Sequence, residues 1–202
     1  MSKTLGKILL VSASEIEAFK SLDQRFSNVV TGVGIAATTF CLTKELIANQ
    51  YDLVINMGIA GSFNPAFKIG DVVQVRSDMF SELGVEDNGK FVPAHEINLV
   101  STGNMIFRTK SELGGLPKVN GITVNKVHGS ASTIEAVFSQ FNPDIETMEG
   151  AAVAYVCQQF GVPWVQIRAI SNRVEPRNRD AWNIPLAIEN LHAQVERSLN
   201  SM

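Results

Sequence analysis

The chain has 202 residues, of which 45% are hydrophobic, and a formal net charge of −3. This is enough apolar sequence for one sizeable core, so we expect a single domain over residues 1–202. The basic residues form no run, which excludes the charge pattern of a nucleic-acid or polybasic membrane binder. No apolar stretch approaches the ~20 residues of a membrane helix, and the polar N-terminus lacks the layout of a secretory signal. Cys41 and Cys157 are too few for a disulfide framework, so we expect a cytoplasmic protein with two reduced, buried thiols.

Short runs rich in β-branched residues alternate with longer stretches of helical periodicity. In chain order, we predict a strand at 7–12, a helix at 15–22, a strand at 28–31, a helix at 35–49, and strands at 52–57, 71–76 and 122–127. There follow a helix at 133–140, a strand at 144–147, a helix at 150–160, a strand at 164–170 and a closing amphipathic helix at 184–199. Strands that are apolar along their whole length and joined by helices indicate an α/β fold with a mainly parallel sheet covered on both faces. Residues 79–117 are the least regular part.

The residues that follow each predicted strand are the candidates for a binding site. In open α/β sheets, ligands bind outside the carboxyl ends of the strands. These positions are residues 14–17, 32–34, 58–62, 129–133, 148–149 and 171–172. Several of them are glycines, and others are carboxylates or an amide, which are groups that a buried site for a small molecule can use.

Three positions on this rim carry polar side chains that are candidates for chemistry, and each has a structural alternative. Glu15 and Glu17 follow the first predicted strand, and one of them can begin the next helix, where a carboxylate favours the dipole, while the other faces the site. Glu149 can accept two hydrogen bonds from a sugar diol, or it can serve as a first-turn helix acid. Asn172 can donate to and accept from the edge of a heterocyclic base, or it can occupy a turn.

Two other patterns argue against a cofactor or a metal. Residues 32–37 fit the G-x-G-x-x-[GA] pattern of a dinucleotide-binding turn, but the acid about 20 residues on, Asp52, begins a strand instead of ending one. We favour a tight turn that offers N–H groups to a ligand, with simple helix entry as the alternative. His95, His128 and His192 are far apart and have no partner at ligand spacing, so we predict surface or core roles for them. We therefore expect no bound cofactor and no metal.

In their order along residues 7–170, these segments resemble the nucleoside phosphorylase family, which includes methylthioadenosine/S-adenosylhomocysteine nucleosidase. The resemblance is carried by the stretches KILLVSASEIE, TGVG, DLVINMGIAGSFNPAFKIGDVV and IETMEGAAVAYVCQQFGVPWVQIRAIS. It implies a three-layer αβα sandwich of the nucleoside phosphorylase type, in which a mixed sheet forms a distorted barrel. It also implies an N-glycosidase that binds a small-molecule nucleoside, without nucleic-acid or membrane partners, and that assembles as a homo-oligomer.

The resemblance assigns roles residue by residue. Glu17 matches the acid that positions or activates the attacking water, Glu149 the carboxylate that binds the ribose hydroxyls, and Met148 the residue that packs beneath the sugar. The catalytic candidates are thus Glu17 and Asn172. The substrate-binding candidates are Gly58, Ile59, Ser132, Thr133, Met148, Glu149 and Ser171.

Asn172 departs from the family pattern, because adenine-cleaving members carry an aspartate at this position. An aspartic acid can protonate N7 of a leaving purine, whereas an asparagine can only donate a hydrogen bond to N7 or O6, where charge develops in a 6-oxopurine. The sequence therefore favours a hypoxanthine-type base. Gly70 occupies the place of a phosphate-binding arginine in some phosphorylases, which favours water as the nucleophile. An inosine-type phosphorylase, an adenosine-type nucleosidase and a non-catalytic nucleoside-binding protein are the alternatives.

Residues 171–191 resemble the futalosine hydrolase branch of the same family. This resemblance implies a role in menaquinone biosynthesis and a substrate that carries hypoxanthine at one end and an aromatic carboxylate on its 5′ extension. Arg173, Arg177 and Arg179 include candidates for the partner of that carboxylate, because arginine suits bidentate carboxylate recognition. Alternatively, these arginines form a solvated charged loop.

Overall fold

The computed structural model describes residues 6–21 and 23–202. The first half contains β1 (Ile8–Ser12), β2 (Phe26–Val30), α1 (Ile35–Ala48), β3 (Leu53–Ser62), β4 (Val72–Met79), β5 (Gly84–Asp87) and β6 (Lys90–Pro93). The second half contains β7 (Ile106–Arg108), β8 (Lys118–Thr123), α2 (Ala131–Phe141), β9 (Ile145–Thr147), α3 (Gly150–Phe160), β10 (Trp164–Arg173) and α4 (Ile184–Asn200). Single 3₁₀ turns lie at Thr102–Asn104 and Arg179–Ala181.

The main sheet is mixed and partly closed. Its strand order is β10-β4-β8-β9-β3-β1-β2, with β7 paired to β4. Because β3 and β10 also pair in parallel, the strands β3, β10, β4, β8 and β9 close into a five-stranded barrel, and β1 and β2 extend the sheet beyond it. The pairs β10–β4, β3–β9 and β4–β7 are antiparallel. The predicted α/β class and the mixed sheet with a distorted barrel are confirmed.

Helices cover both faces of the sheet, which explains the unbroken apolar runs. In β1, Ile8 and Leu10 pack in the cluster with α4, whereas Leu9 and Val11 pack in the cluster with α1 and α3. The alternation follows from the two-residue period of a strand. Helix α4 presents to the sheet one stripe at every fourth position, formed by Ala187, Leu191, Val195 and Leu199.

Several boundaries differ from the sequence prediction. Residues 15–17 form a turn and residues 18–21 have no regular structure, so the helix predicted at 15–22 is wrong, although Leu22 itself lies outside the described residues. The strand predicted at 122–127 lies at 118–123, because β8 pairs with β9 and ends where β9 ends. The strands predicted to end at residues 57 and 170 continue to 62 and 173, because β3 and β10 pair with each other along this extension.

The segment predicted to be least regular contains a β-hairpin. Strands β5 and β6 pair through a two-residue loop, Asn88-Gly89, in which both residues have positive φ, at 51° and 75°. Asn-Gly is the sequence typical of such a type I′ turn. The signal was therefore present in the sequence.

The structure also bears on the expectations that composition gave for membrane helices and for the two cysteines. In the described part of the chain, no helix is long and apolar enough to span a membrane. Cys41 and Cys157 are both free thiols. Burial raises the pKa of Cys157, but Cys41 is only half-buried, so the expectation of two buried thiols is wrong for Cys41.

Candidate functional site

A cavity of about 280 Å³ opens at the carboxyl ends of the parallel strands. Six of the predicted site residues line it, namely Glu17, Ile59, Met148, Glu149, Ser171 and Asn172. A larger hollow of about 580 Å³ lies between β4, β7 and β8. It contains none of the predicted residues, and no carboxylate lines it among the described residues. The smaller cavity is therefore the candidate site.

Glu17 is fixed in the turn that follows β1. Its side chain is only 7% exposed, and its two carboxylate oxygens accept separate hydrogen bonds. Oε2 accepts from the Ser14 hydroxyl at 2.7 Å, and Oε1 accepts from the backbone N–H of Ile59 at 3.1 Å. Each oxygen keeps a lone pair for a ligand. Glu15 is exposed, so Glu17 is the acid that faces the site.

Glu149 directly precedes α3 and faces the turn between β2 and α1. Its Oε1 accepts the backbone N–H of Gly34 at 2.9 Å, and the backbone N–H of Met148 also acts on the carboxylate and lowers its pKa. The pKa of Glu149 is raised by burial, and the positive charge of Arg168 and the Gly34 N–H oppose that rise. The glycine turn therefore offers an N–H group to a carboxylate of the protein itself.

Arg168 is a buried charge in the middle of β10 that the sequence analysis did not select. Its residue is only 2% exposed. Burial lowers its pKa, and the negative charges of Glu149, Glu17 and Asp78 oppose that shift. Among the described residues, neither Nε nor Nη2 finds an acceptor. Because a buried charge needs partners, the single arginine in this apolar strand could have been recognised from the sequence as a candidate site residue.

Gly58 lies behind the cavity wall, in β3, instead of in the predicted turn. A Cβ atom at Gly58 would lie 2.5 Å from Arg168 Nη1 and 2.8 Å from Glu17 Oε1. Both distances are shorter than van der Waals contact. The absence of a side chain here allows the guanidinium and the carboxylate to approach the same point of the backbone.

Asp78, in β4, anchors the helix that follows Glu149. Its Oδ1 accepts from the Thr123 hydroxyl at 2.9 Å, and the Thr123 oxygen accepts the backbone N–H of Ala151 at 2.7 Å. Its Oδ2 accepts from the Gln166 amide at 3.0 Å. Burial raises the pKa of Asp78 to about 6, against the opposing effect of these hydrogen bonds. The first turn of α3 is thus connected to the barrel interior.

A β-bulge directs two successive residues of β10 into the cavity. Ile170 pairs with Ala60 and Asn172 pairs with Gly61, which leaves Ser171 without a partner in the ladder. Bulges of this kind re-aim side chains next to functional sites. The Ser171 hydroxyl donates to Asn172 Oδ1 at 2.8 Å, and Asn172 Nδ2 donates to the carbonyl of Arg173 at 2.9 Å. One N–H of the Asn172 amide is left for a ligand.

His128 and Glu146 form a pair in the same cavity lining. The His128 Nδ1 lies 2.6 Å from Glu146 Oε2, and the His128 backbone N–H donates to Glu146 Oε1 at 3.1 Å. The sequence analysis predicted a surface or core role for His128, whereas the structure places it in the lining of the cavity. Sequence reasoning missed it because the strand before it was predicted four residues too late, at 122–127 in place of a start at Lys118 and an end at Thr123.

Besides Gly58, two predicted residues lie outside the cavity lining. Ser132 and Thr133 are exposed in the first turn of α2. The Thr133 hydroxyl lies 2.8 Å from the Ser130 hydroxyl. A role for Ser132 and Thr133 in binding substrate stays a prediction.

The comparisons with known proteins agree on one family. A family model described as the phosphorylase superfamily matches residues 19–200. Futalosine hydrolase of Acidothermus cellulolyticus is 34% identical over 173 residues, which cover 81% of this chain and 70% of that protein. The 5′-methylthioadenosine/S-adenosylhomocysteine nucleosidase of Shewanella baltica is 34% identical over 161 residues, which cover 71% of this chain and 66% of that protein. The chain thus spans about two thirds of the length of these curated relatives.

A solved structure gives the same fold. The 5′-methylthioadenosine/S-adenosylhomocysteine nucleosidase from Helicobacter pylori, crystallised with butyl-thio-DADMe-Immucillin-A, superposes with a TM-score of 0.84 at 17% identity. The superposition covers 99% of this chain and 100% of that chain. With the match of the family model over residues 19–200, the chain belongs to the phosphorylase superfamily.

Proposed function

We propose that the protein is a nucleosidase that hydrolyses the N-glycosidic bond of futalosine and releases hypoxanthine. The observation that carries the proposal is the composition of one cavity wall, in which Glu17 and Glu149 act on the buried Arg168 and Asn172 lines the same cavity. The relatives named as futalosine hydrolase and as methylthioadenosine/S-adenosylhomocysteine nucleosidase support this class of chemistry. The proposal includes the cytoplasmic location and the role in menaquinone biosynthesis that the resemblance implies.

The sugar end of the cavity supplies the nucleophile. The Glu149 carboxylate, whose Oε1 is held by the Gly34 N–H, accepts hydrogen bonds from the ribose hydroxyls through its remaining lone pairs. Glu17 takes up the proton of the attacking water as the C1′–O bond forms and the C1′–N9 bond breaks. The positive charge of Arg168, buried behind the wall, stabilises the Glu17 and Glu149 carboxylates. Holding the sugar and the water in this geometry lowers the barrier, because the two reactants no longer have to be brought together and oriented in the reaction step.

The base end accepts the charge that leaves with the purine. Ser171 orients the Asn172 amide by donating to its Oδ1. The remaining N–H of Nδ2 then points away from that bond and donates to O6 of a 6-oxopurine, where negative charge develops. A 6-amino group carries only hydrogens toward such a donor, so this amide favours hypoxanthine over adenine.

Water is favoured over phosphate as the nucleophile. In the described part of the chain, no lysine or arginine belongs to the cavity lining, so a phosphate dianion would approach Glu17 and Glu149 at the sugar end without a lysine or arginine to bind it. Gly70 gives no room for an arginine side chain, because its φ is +91° and a Cβ would lie 2.8 Å from Asn190 Nδ2. Asn190 also donates to the Gly70 carbonyl at 2.8 Å.

Arg177 is the proposed partner of the carboxylate on the 5′ extension. The guanidinium of Arg173 is occupied, because it donates to the carbonyls of Asn64 and Pro65. Arg177 instead lies over the ring of Trp182, at 5.6 Å from its centroid, and Trp182 lines the cavity. We expect Arg177→Met to raise KM for futalosine but not for inosine, with Arg179→Met as the matched control. An equal change for both substrates would contradict this assignment.

The proposed enzyme is a homo-oligomer. Val33, Phe40 and Ile47 are exposed apolar residues spaced seven apart along α1 and the turn before it, so they lie on one side of the helix. Ile16 and Val33 are exposed and also line the cavity, so a second copy on this face would cover the mouth of the site. Light scattering should show a dimer or larger species that Phe40→Glu dissociates, and a monomeric wild type would refute it.

The decisive experiment is a substrate panel. The purified protein is incubated with futalosine, inosine and methylthioadenosine, each with and without phosphate, and the released base is identified by chromatography. We expect hypoxanthine from futalosine at a rate that does not depend on phosphate. Adenine from methylthioadenosine without release from futalosine would assign the chain to the other class of relative instead. Binding without turnover, unchanged in Glu17→Ala, would indicate a nucleoside-binding protein.

A further inference from the structure

The proposed steps leave the pair of His128 and Glu146 without a function. The side chain of Glu146 is 3% exposed and that of His128 is 13% exposed. The Glu146 carboxylate contacts both Nδ1 and the backbone N–H of the same histidine, so the ring is held in one orientation. With Nδ1 occupied by the carboxylate, Nε2 is the nitrogen left for a ligand, and no described residue bonds to it.

The pair lies at the base end of the cavity, next to Asn172. Gly61 pairs with Glu146 on one side and with Asn172 on the other. A Cβ at Gly61 would lie 3.1 Å from Asn172 Nδ2 and 3.5 Å from Glu146 Cγ. Both side chains therefore lie beside the same glycine, and Phe63 packs against the His128 ring, with 6.3 Å between centroids.

This place matches a requirement that Asn172 cannot meet. A purine that leaves ribose with the bonding electrons needs a proton on a ring nitrogen to depart as a neutral base, and an amide has no proton to give. We propose that His128 is the general acid that protonates N7 of the departing base, with Glu146 as the positioning residue. The inference rests on the proposed function, because it needs a purine nucleoside in the cavity.

The step balances without an added reagent. The C1′–N9 electron pair passes to the purine, and the proton on Nε2 of the His128 imidazolium passes to N7. Glu17 gains the proton that the attacking water loses, so the total charge is conserved. Exchange of protons with solvent then restores both groups. Asn172 donates to O6 in the same step, so the two side chains share the recognition of the 6-oxopurine.

The charged groups around His128 are few. Glu146 contacts the ring directly, and Arg177 lies on the adjoining segment, where its backbone N–H donates to the Gly129 carbonyl at 3.1 Å. Across the cavity stand Glu17 and Glu149. Negative groups therefore predominate around His128.

A pair of substrates separates this role from a structural one. Methylation of futalosine at N7 gives a cationic base that leaves without being protonated. We expect His128→Gln to lower kcat on futalosine by about 10²-fold or more and to leave the rate on N7-methylated futalosine close to that of the wild type. His95→Gln is the matched control, because His95 contacts Met105 and lies outside the cavity lining.

The pH profile gives the second readout. The wild-type rate on futalosine should fall at alkaline pH as the imidazolium loses its proton, and this fall should be absent on the methylated substrate. Glu146→Gln keeps an acceptor for Nδ1 but removes the negative charge, so it should move the fall to lower pH.

The outcomes distinguish the two hypotheses. An equal loss on both substrates in His128→Gln, an unchanged rate on futalosine, or an alkaline fall that persists in this variant would overturn the general-acid role while the proposed function stands. A wild type that hydrolyses neither substrate would overturn the proposed function and the role of His128 with it.

Discussion

Gly58 provides the sharpest test of the site geometry, because a single methyl group there meets both charged partners. In Gly58→Ala, the new Cβ would lie 2.5 Å from Arg168 Nη1 and 2.8 Å from Glu17 Oε1. To reach a contact of about 3.4 Å, Nη1 must move by about 0.9 Å and Oε1 by about 0.6 Å. Both side chains are buried, so neither can swing into solvent.

The size of the effect follows from these displacements. Overpacking a filled interior costs about 1–3 kcal/mol, which corresponds to a fall in Tm of about 2–12 °C for a domain of this size. A displacement of about 1 Å in a positioned catalytic group costs about 10²-fold in rate. We therefore expect Gly58→Ala to unfold at a lower temperature by calorimetry and to lose most of its kcat on futalosine.

Two other glycines serve as matched controls. A Cβ at Gly103 would have no neighbour within 4 Å, and a Cβ at Gly129 would lie 3.5 Å from Arg177 Cβ, which is ordinary contact. Neither glycine has a positive φ, so both alanine variants should match the wild type. If Gly58→Ala keeps both the wild-type Tm and the wild-type rate, the close approach of Arg168 and Glu17 to this backbone is refuted.

Three further predictions test the base, the sugar and the buried acid. Asn172→Asp should shift the ratio of kcat/KM for inosine and adenosine toward the 6-amino purine, and an unchanged ratio would show that Asn172 does not read the base. Glu149→Ala should remove most of the activity in the same assay, since the ribose loses its anchor, and near-normal turnover would contradict that role. The pKa of Asp78 is raised to about 6, so the folded protein binds this proton more tightly than the unfolded chain does. The free energy of unfolding therefore falls as the pH rises from about 4 to 6, and at 1.36 kcal/mol per pH unit the fall is about 3 kcal/mol. Asp78→Asn removes this fall, and the new amide can donate to the unpartnered Gln166 Oε1. Urea unfolding should therefore show that the stability of the variant relative to the wild type increases from pH 4 to pH 7. A difference in stability that does not depend on pH would contradict this prediction.

The regular parts of the fold were predictable because their sequence periods match the faces that they bury. Strand β1 is apolar at every position because helices cover both of its sides, and α4 repeats its buried residues every fourth position. The false helix at 15–22 shows where this reasoning stops. Glu17 is held in a turn by hydrogen bonds to Ser14 and Ile59, and Ile59 is 42 residues away in the chain, so no local pattern contains that partner.

Half of the site followed from one topological rule, and the other half did not. Glu149 and Asn172 were found because they stand at the ends of strands, where ligands bind. Arg168 and Glu146 lie within β10 and β9, which the barrel closes onto β3, so that Glu146 lines the cavity and Arg168 is buried behind it. That closure depends on contacts far apart in the sequence, which propensity and period do not report.

The pairing of β3 with β10 links the two ends of the proposed site. Ile59, in β3, binds the Glu17 carboxylate, and Gly61, two residues further on, lies beside Asn172 and Glu146. Residues two apart in a strand project to the same side, so β3 sets the distance between the water end and the base end of the cavity. The bulge at Ser171 then adds one residue to β10 opposite this segment, which lets Ser171 and Asn172 both reach the cavity while Arg168 stays buried behind it. A rigid spacing of this kind suits a reaction in which water attacks one face of a sugar while the base departs from the other, because both groups must be in place in the same transition state.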